Sequence, residues 1–184
     1  MNDKIAFIGG GNMASAIIGG LIRQGMRPMQ IMVVEPYPEQ HAKLKADFGI
    51  EAFSNPNAML TQAEILVWAV KPQTFKEAAL QTRFHTKAAL HFSVAAGIRS
   101  DSIAHWLGAE RVVRSMPNTP ALIGKGITAL YARPAVTAGD RKAVERVISS
   151  TGEHLWLDQE AQLDAVTALS GSGPAYVFFF IEAM

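Results

Sequence analysis

Gly9-Gly10-Gly11-Asn12-Met13-Ala14 lies between an apolar run and an amphipathic one, and a G-x-G-x-x-A turn at such a junction has a definite physical use. Gly9 permits a tight turn, Gly11 lets a pyrophosphate reach the backbone, and Ala14 lets the next helix pack close to a sheet. The start of that helix then offers free N–H groups and the positive end of its dipole to phosphate. Glycine-rich turns also arise for steric reasons alone. Here a strand before, a helix after and a second strand beyond are all in place, which predicts a dinucleotide-binding turn. Glu35 ends the second strand, 24 residues after Gly11. A carboxylate there can accept a hydrogen bond from an adenosine ribose 2′-OH and would repel a 2′-phosphate. No arginine follows immediately, and His41 and Lys43 are the nearest basic groups. The spacing favours NAD, the alternative being an exposed strand-end glutamate without a role.

Further polar or small-residue groups close later strands, where an open α/β sheet presents its ligand crevice. Ala69-Val70-Lys71-Pro72-Gln73 ends one apolar run, and Lys71 either meets phosphate or is solvated. Val94-Ala95-Ala96-Gly97 ends the next with residues small enough for a flat nicotinamide ring, or for tight packing. Asn55, before Pro56, is a turn-former by default. In Ser115-Met116-Pro117-Asn118-Thr119-Pro120 two prolines hold the Asn118-Thr119 pair stiffly, as substrate or carboxamide recognition requires and as an ordinary turn also permits. Ser170 and Ser172, before Pro174, either hold a carboxylate or form a hinge. None of the five histidines makes a metal-ligand spacing, so no metal is expected, and surface or hydrogen-bonded positions are expected for them.

The elements that must position these groups are legible from periodicity. Residues 4–9, 30–35, 65–70, 90–94 and 111–116 read as strands, and helical spacing follows the first at Ala14, Ile17, Ile18, Leu21 and Ile22. Further helices are predicted over 39–48, 75–81 and 100–107, the last capped by Ser100. This alternation implies a mostly parallel sheet with right-handed crossovers. After Met116 come strands at 127–131 and 154–157 around a helix over 138–150. From Gln159 the chain reads as helix, broken at 170–174, and then runs apolar on nearly every side from Tyr176 to Met184. Such a helix is expected to be buried. Trp68, Trp106 and Trp156 are expected in the core.

Composition narrows the function classes. The 184 residues are 49% hydrophobic and 18% charged, with 17 Lys+Arg against 16 Asp+Glu. That balance argues against a nucleic-acid coat or a disordered scaffold and for a small-molecule partner. The chain has no cysteine, which excludes disulfides and thiolate chemistry and suits a reducing cytosol. The densest apolar run, 175–181, is far shorter than the ~20 residues that span a bilayer. A soluble, cytoplasmic protein is expected.

Taken in order, the motifs at 8–13, 69–73, 93–98, 115–120 and 170–176 resemble the series found in pyrroline-5-carboxylate reductases. The resemblance spans nearly the whole chain. It implies an α/β, Rossmann-type, mostly parallel domain over 1–160 and the beginning of a C-terminal all-helical dimerisation domain over 161–184. It implies NAD(P)H-dependent reduction of the cyclic imine 1-pyrroline-5-carboxylate to L-proline, the last step of proline biosynthesis, in a homodimer or higher homo-oligomer. It also implies that Ile8, Gly9, Gly10, Gly11, Asn12, Met13, the position of Glu35, Asn55, Ala69, Val70, Lys71, Pro72, Ala95, Ala96 and Gly97 line NADP or NAD. A protonated C=N is already electrophilic, so positioning should outweigh acid–base chemistry, and no catalytic residue is assigned within 1–184.

Two departures stand out. NADPH-preferring members usually carry a small or hydroxylated residue where this chain has Glu35, and the family is longer, its helical domain beginning near Leu163 and supplying most of the substrate pocket. The chain is therefore expected to stop inside that domain and not to suffice for activity alone. Two other readings remain. A β-hydroxyacid-type dehydrogenase would need a lysine on the helix after Gly173, where there is none. The other is a non-catalytic dinucleotide-binding or dimerisation module.

Overall fold

The computed structural model describes residues 4–184. Four short runs form strands buried along their whole length: β1 (Ile5–Ile8), β2 (Ile31–Val34), β3 (Ile65–Trp68) and β4 (Leu90–Ser93). Successive side chains on a strand point to opposite faces, so strands buried at every position need cover on both; β1 to β3 are wholly apolar, while β4 also buries His91 and Ser93. Ile5, Phe7, Val33 and Val67 pack with α1 (Asn12–Arg23), α2 (Pro38–Phe48) and α5 (Ala138–Ile148). Ala6, Ile8, Leu66 and Trp68 pack on the other face with α3 (Pro72–Thr82) and α4 (Ser100–Leu107).

β5 (Val112–Met116), β6 (Gly126–Ala132) and β7 (Gly152–Trp156) complete a seven-stranded sheet in the order β2-β1-β3-β4-β5-β6-β7. Its pairs are parallel except β5 with β6. The reason is the connection: the nine residues 117–125 are too few for the crossover that a parallel neighbour needs. Thr137 caps α5 by accepting from the Asp140 N–H at 3.1 Å.

The C-terminal segment departs from expectation twice. Where a break is predicted at 170–174, α6 (Gln162–Val166) leads through one π turn (Thr167–Gly171) into α7 (Gly173–Ala183), with Ser172 N–H donating to the Thr167 carbonyl at 2.9 Å. A π turn absorbs a residue without ending the helix, and Pro174 sits in the first turn of α7, where its missing N–H costs nothing. Nor is α7 buried: Phe179 is 74% and Ile181 63% exposed, because within the described residues the helix packs chiefly against the turn that precedes it. Among the tryptophans only Trp68 is fully buried; Trp106 and Trp156 are half-buried. No helix among the described residues is long and apolar enough to cross a membrane.

Candidate functional site

β2 and β3 flank β1 on opposite sides, so the strand order reverses at β1 and a crevice opens beyond the C-terminal strand ends. Gly9 leaves β1 there with φ 96°, and a Cβ on it would stand 2.6 Å from the Ala69 carbonyl oxygen. Both the backbone conformation and the contact with the end of β3 demand glycine. Gly11 differs. Its φ of −70° suits any residue, and apart from its own chain neighbours no residue comes within 4 Å of a Cβ built on it. Neither strain nor packing calls for glycine at the mouth of α1, whereas close approach of a pyrophosphate does. The residues present therefore fit a dinucleotide.

Glu35 is only 6% exposed, which corrects the picture of a solvated strand-end residue. Its Oε2 accepts from the Gly10 N–H at 2.7 Å and its Oε1 from the Tyr37 N–H at 3.1 Å. The His41 ring lies against the Glu35 carbonyl through Nε2. Lys43 lines a groove with Asn12 and Arg23 along the flank of α1. Phe53 pairs with the end of β2, its carbonyl accepting from the Glu35 N–H at 2.8 Å, and this brings exposed Asn55 to the same rim.

The other predicted coenzyme residues gather at neighbouring strand ends. Ala69 and Val70 are half-buried beyond β3, and Lys71 is the exposed N-cap of α3 ahead of Pro72. Beyond β4, Ala95 is buried with its N–H donating to Ser93 Oγ at 3.2 Å, Ala96 is half-buried, and Gly97 is exposed with φ 75°. The two serine- and asparagine-bearing motifs meet: Asn118 Nδ2 donates to Ser170 Oγ at 3.1 Å, while Asn118 Oδ1 accepts from the Ile127 N–H at 3.0 Å. Gly171 closes on Met116, whose Cε would lie 2.4 Å from an added Cβ. Thr119 is exposed and Ser172 half-buried.

Sequence reasoning missed a buried polar joint beside this rim. Ser100 is not the cap of α4; Arg99 holds that position. Instead Glu160 accepts from both the Ser100 N–H and its hydroxyl, each at 2.6 Å, and from Arg114 Nη1 at 3.0 Å. Burial pushes the Glu160 carboxyl up, but the Ser100 bonds and the Arg114 guanidinium outweigh it and leave the group below the usual carboxylate range. The one available signal was Arg114 itself, a charged residue inside a strand and only 4% exposed. His91 is the other surprise, since it is wholly buried. Its Nδ1 accepts from Trp68 Nε1 at 3.2 Å, and the Thr86 backbone opposes the effect of burial only in part. Desolvation lowers its pKa to about 4.

Residues 4–97 match the family model described as NADP oxidoreductase coenzyme F420-dependent, and residues 160–184 match that for pyrroline-5-carboxylate reductase dimerisation. The chain is 46% identical over 184 residues to the pyrroline-5-carboxylate reductase of Pseudomonas aeruginosa, covering 98% of this chain and 67% of that protein. The solved pyrroline-5-carboxylate reductase of Coxiella burnetii superposes with a TM-score of 0.90 at 35% identity, covering all of this chain and 69% of that one. The Plasmodium falciparum pyrroline carboxylate reductase, solved with NADP bound, does so with a TM-score of 0.85 at 28% identity, over 99% of this chain and 67% of that one. The chain thus spans about two thirds of the length of these relatives. It belongs to the pyrroline-5-carboxylate reductase family, Rossmann-type oxidoreductases of proline biosynthesis that use NAD(P)H to reduce a C=N bond.

Proposed function

We propose that this chain reduces 1-pyrroline-5-carboxylate to L-proline, holding the coenzyme pyrophosphate at the ends of β1 and β2 and the nicotinamide at the ends of β3 and β4. Gly11 is the observation that carries this reading, a glycine required by neither its φ nor its protein neighbours. Ile8 to Met13 form the phosphate-facing turn, with Asn55 on the adenosine rim. Ala69, Val70, Lys71 and Pro72 line the middle of the crevice, and Ala95, Ala96 and Gly97 the nicotinamide end. The reduced coenzyme, when bound, supplies the hydride that the imine carbon takes up. The chain's own contribution is orientation, which for a reaction of an already electrophilic C=N is the larger need.

Glu35 favours NADH over NADPH. Its two oxygens accept two backbone hydrogen bonds, and a carboxylate has about four acceptor sites, so capacity remains for ribose hydroxyls while a 2′-phosphate meets like charge. On the substrate side stand Asn118, Thr119, Ser170 and Ser172. Ser170 Oγ already accepts from Asn118, which leaves its own proton to donate to the substrate carboxylate. Residues 1–160 form the coenzyme domain and 161–184 the start of the helical domain, whose exposed apolar α7 joins subunits as a homodimer or higher oligomer. A cysteine-free chain suits the cytoplasm.

Oxidation of NADH and of NADPH on adding 1-pyrroline-5-carboxylate, by this chain joined to the complete helical domain of its longer relatives, tests the reading. Loss of reduced coenzyme, faster with NADH, is expected. Protein that binds neither coenzyme and oxidises neither contradicts it.

A further inference from the structure

Gly10 is held on both of its peptide planes. Its N–H, in the plane shared with Gly9, donates to Glu35 Oε2 at 2.7 Å, and its carbonyl, in the plane shared with Gly11, accepts from Gln40 Nε2 at 2.5 Å. The peptide bonds here are trans, and a trans peptide points its N–H opposite to its C=O. By drawing the Gly10 carbonyl toward α2, Gln40 therefore turns the Gly11 N–H away from α2. Among the described residues no acceptor takes that N–H, and no residue beyond its chain neighbours would crowd a Cβ on Gly11.

The arrangement is local and deliberate in its chemistry. Gln40 lies in the first turn of α2, its own N–H donating to the Tyr37 carbonyl at 3.1 Å, and it is half-buried. Leu44, one helical turn on, packs close enough that a Cβ on Gly10 would stand 2.8 Å from its Cδ1. The first turns of α2 thus seat against the glycine-rich turn through one apolar and one polar contact. Ser15 Oγ, the other donor to the Gly10 carbonyl, is at 3.5 Å, the outer limit of a hydrogen bond. Without Gln40 the Gly10–Gly11 peptide, flanked by glycines on both sides, has little to hold its orientation.

We propose that Gln40 is a positioning residue for the coenzyme: through the Gly10 carbonyl it aims the Gly11 N–H at the pyrophosphate. This rests on the coenzyme reading above and adds to it a side chain that touches neither ribose nor phosphate. Because pyrophosphate is common to both coenzymes, Gln40 serves NADH and NADPH equally, unlike Glu35.

Fluorescence titration of NADH and NADPH, with thermal melts in parallel, tests the role in two variants. Gln40→Met keeps the side-chain length without the N–H and is expected to raise Kd for both coenzymes by the same factor, about three- to tenfold, the range of one net hydrogen bond, with a fall in melting temperature of no more than a few degrees. Gln40→Lys keeps a donor and is expected to bind NADH as the wild type does. The role is overturned by an unchanged Kd in Gln40→Met, by a change confined to one coenzyme, or by a loss of NADH binding in Gln40→Lys as large as that in Gln40→Met. Wild-type protein that binds neither coenzyme overturns the coenzyme reading beneath it, a separate result.

Discussion

Glu35 is buried and Glu160 half-buried, and both accept hydrogen bonds from backbone N–H groups, yet a guanidinium stands only beside Glu160. At Glu160 three donors, two from Ser100 and one from Arg114, close the site and bind the start of the helical segment to α4 and β5. At Glu35 two backbone donors set the carboxylate in place at the crevice and leave part of its capacity unused. The difference separates a joint, where charge is cancelled, from a carboxylate whose charge is left uncancelled, as the proposed coenzyme role requires.

Removing the carboxylates one at a time is expected to separate these roles. Glu160→Ala strands the buried Arg114, whose other carboxylate neighbour, Asp164, is 3.9 Å away. It is expected to cost about 3–5 kcal/mol in denaturant melts. A loss under about 1 kcal/mol, the value of an exposed pair, would mean that the joint is not closed.

Acid sharpens the same contrast, provided His91 is accounted for. Its pKa, lowered from the ordinary 6.5 to about 4, means the unfolded chain binds the proton first as pH falls. Stability on this account is full above pH 6.5, declines between 6.5 and about 4, and loses no more below that. The total is of order 3 kcal/mol. Glu160, held below its ordinary value, contributes fully above about pH 4.5, and that contribution is lost as pH falls through its folded value. His91→Gln, which keeps an acceptor for Trp68, is expected to flatten the slope above pH 4.5 and leave the Glu160 decline exposed below it. An unaltered profile would contradict the assignment.

At the other carboxylate the expected change is in selectivity. Glu35→Ser should raise the NADPH-to-NADH preference by about tenfold, equivalent to ~1.4 kcal/mol, with a smaller loss of stability than Glu160→Ala. An unchanged ratio in coenzyme titrations would mean that the carboxylate does not face the ribose.

These two sites also differ in how far the sequence discloses them. Gly9, Gly11 and Glu35 fall within one strand-turn-helix-strand unit, where spacing along the chain is spacing in the fold, so they are legible directly. β1 to β3 are equally legible, because burial on both faces leaves continuous apolar runs, whereas β4 alternates apolar residues with His91 and Ser93 and its burial on both faces is not. Glu160 meets Ser100 across 60 residues and Arg114 across 46, and no local pattern carries such pairings. Gln40 escaped for a different reason: a polar residue on a helix of low amphipathicity looks like solvent-facing surface until the glycine turn beneath it is seen. The π turn at Thr167–Gly171 reads as a break because glycine and proline mark breaks, and only the seat of Gly171 on Met116 shows otherwise.

Gly11→Ala, assayed by NADH titration alongside a thermal melt, puts the coenzyme crevice to the most direct test. With φ −70° and no residue beyond its chain neighbours within 4 Å of the added methyl, the melt should be unchanged. The methyl would stand where the pyrophosphate approaches, so affinity should fall by roughly tenfold or more. Wild-type affinity in a variant of wild-type stability would contradict the placement of the coenzyme at this turn.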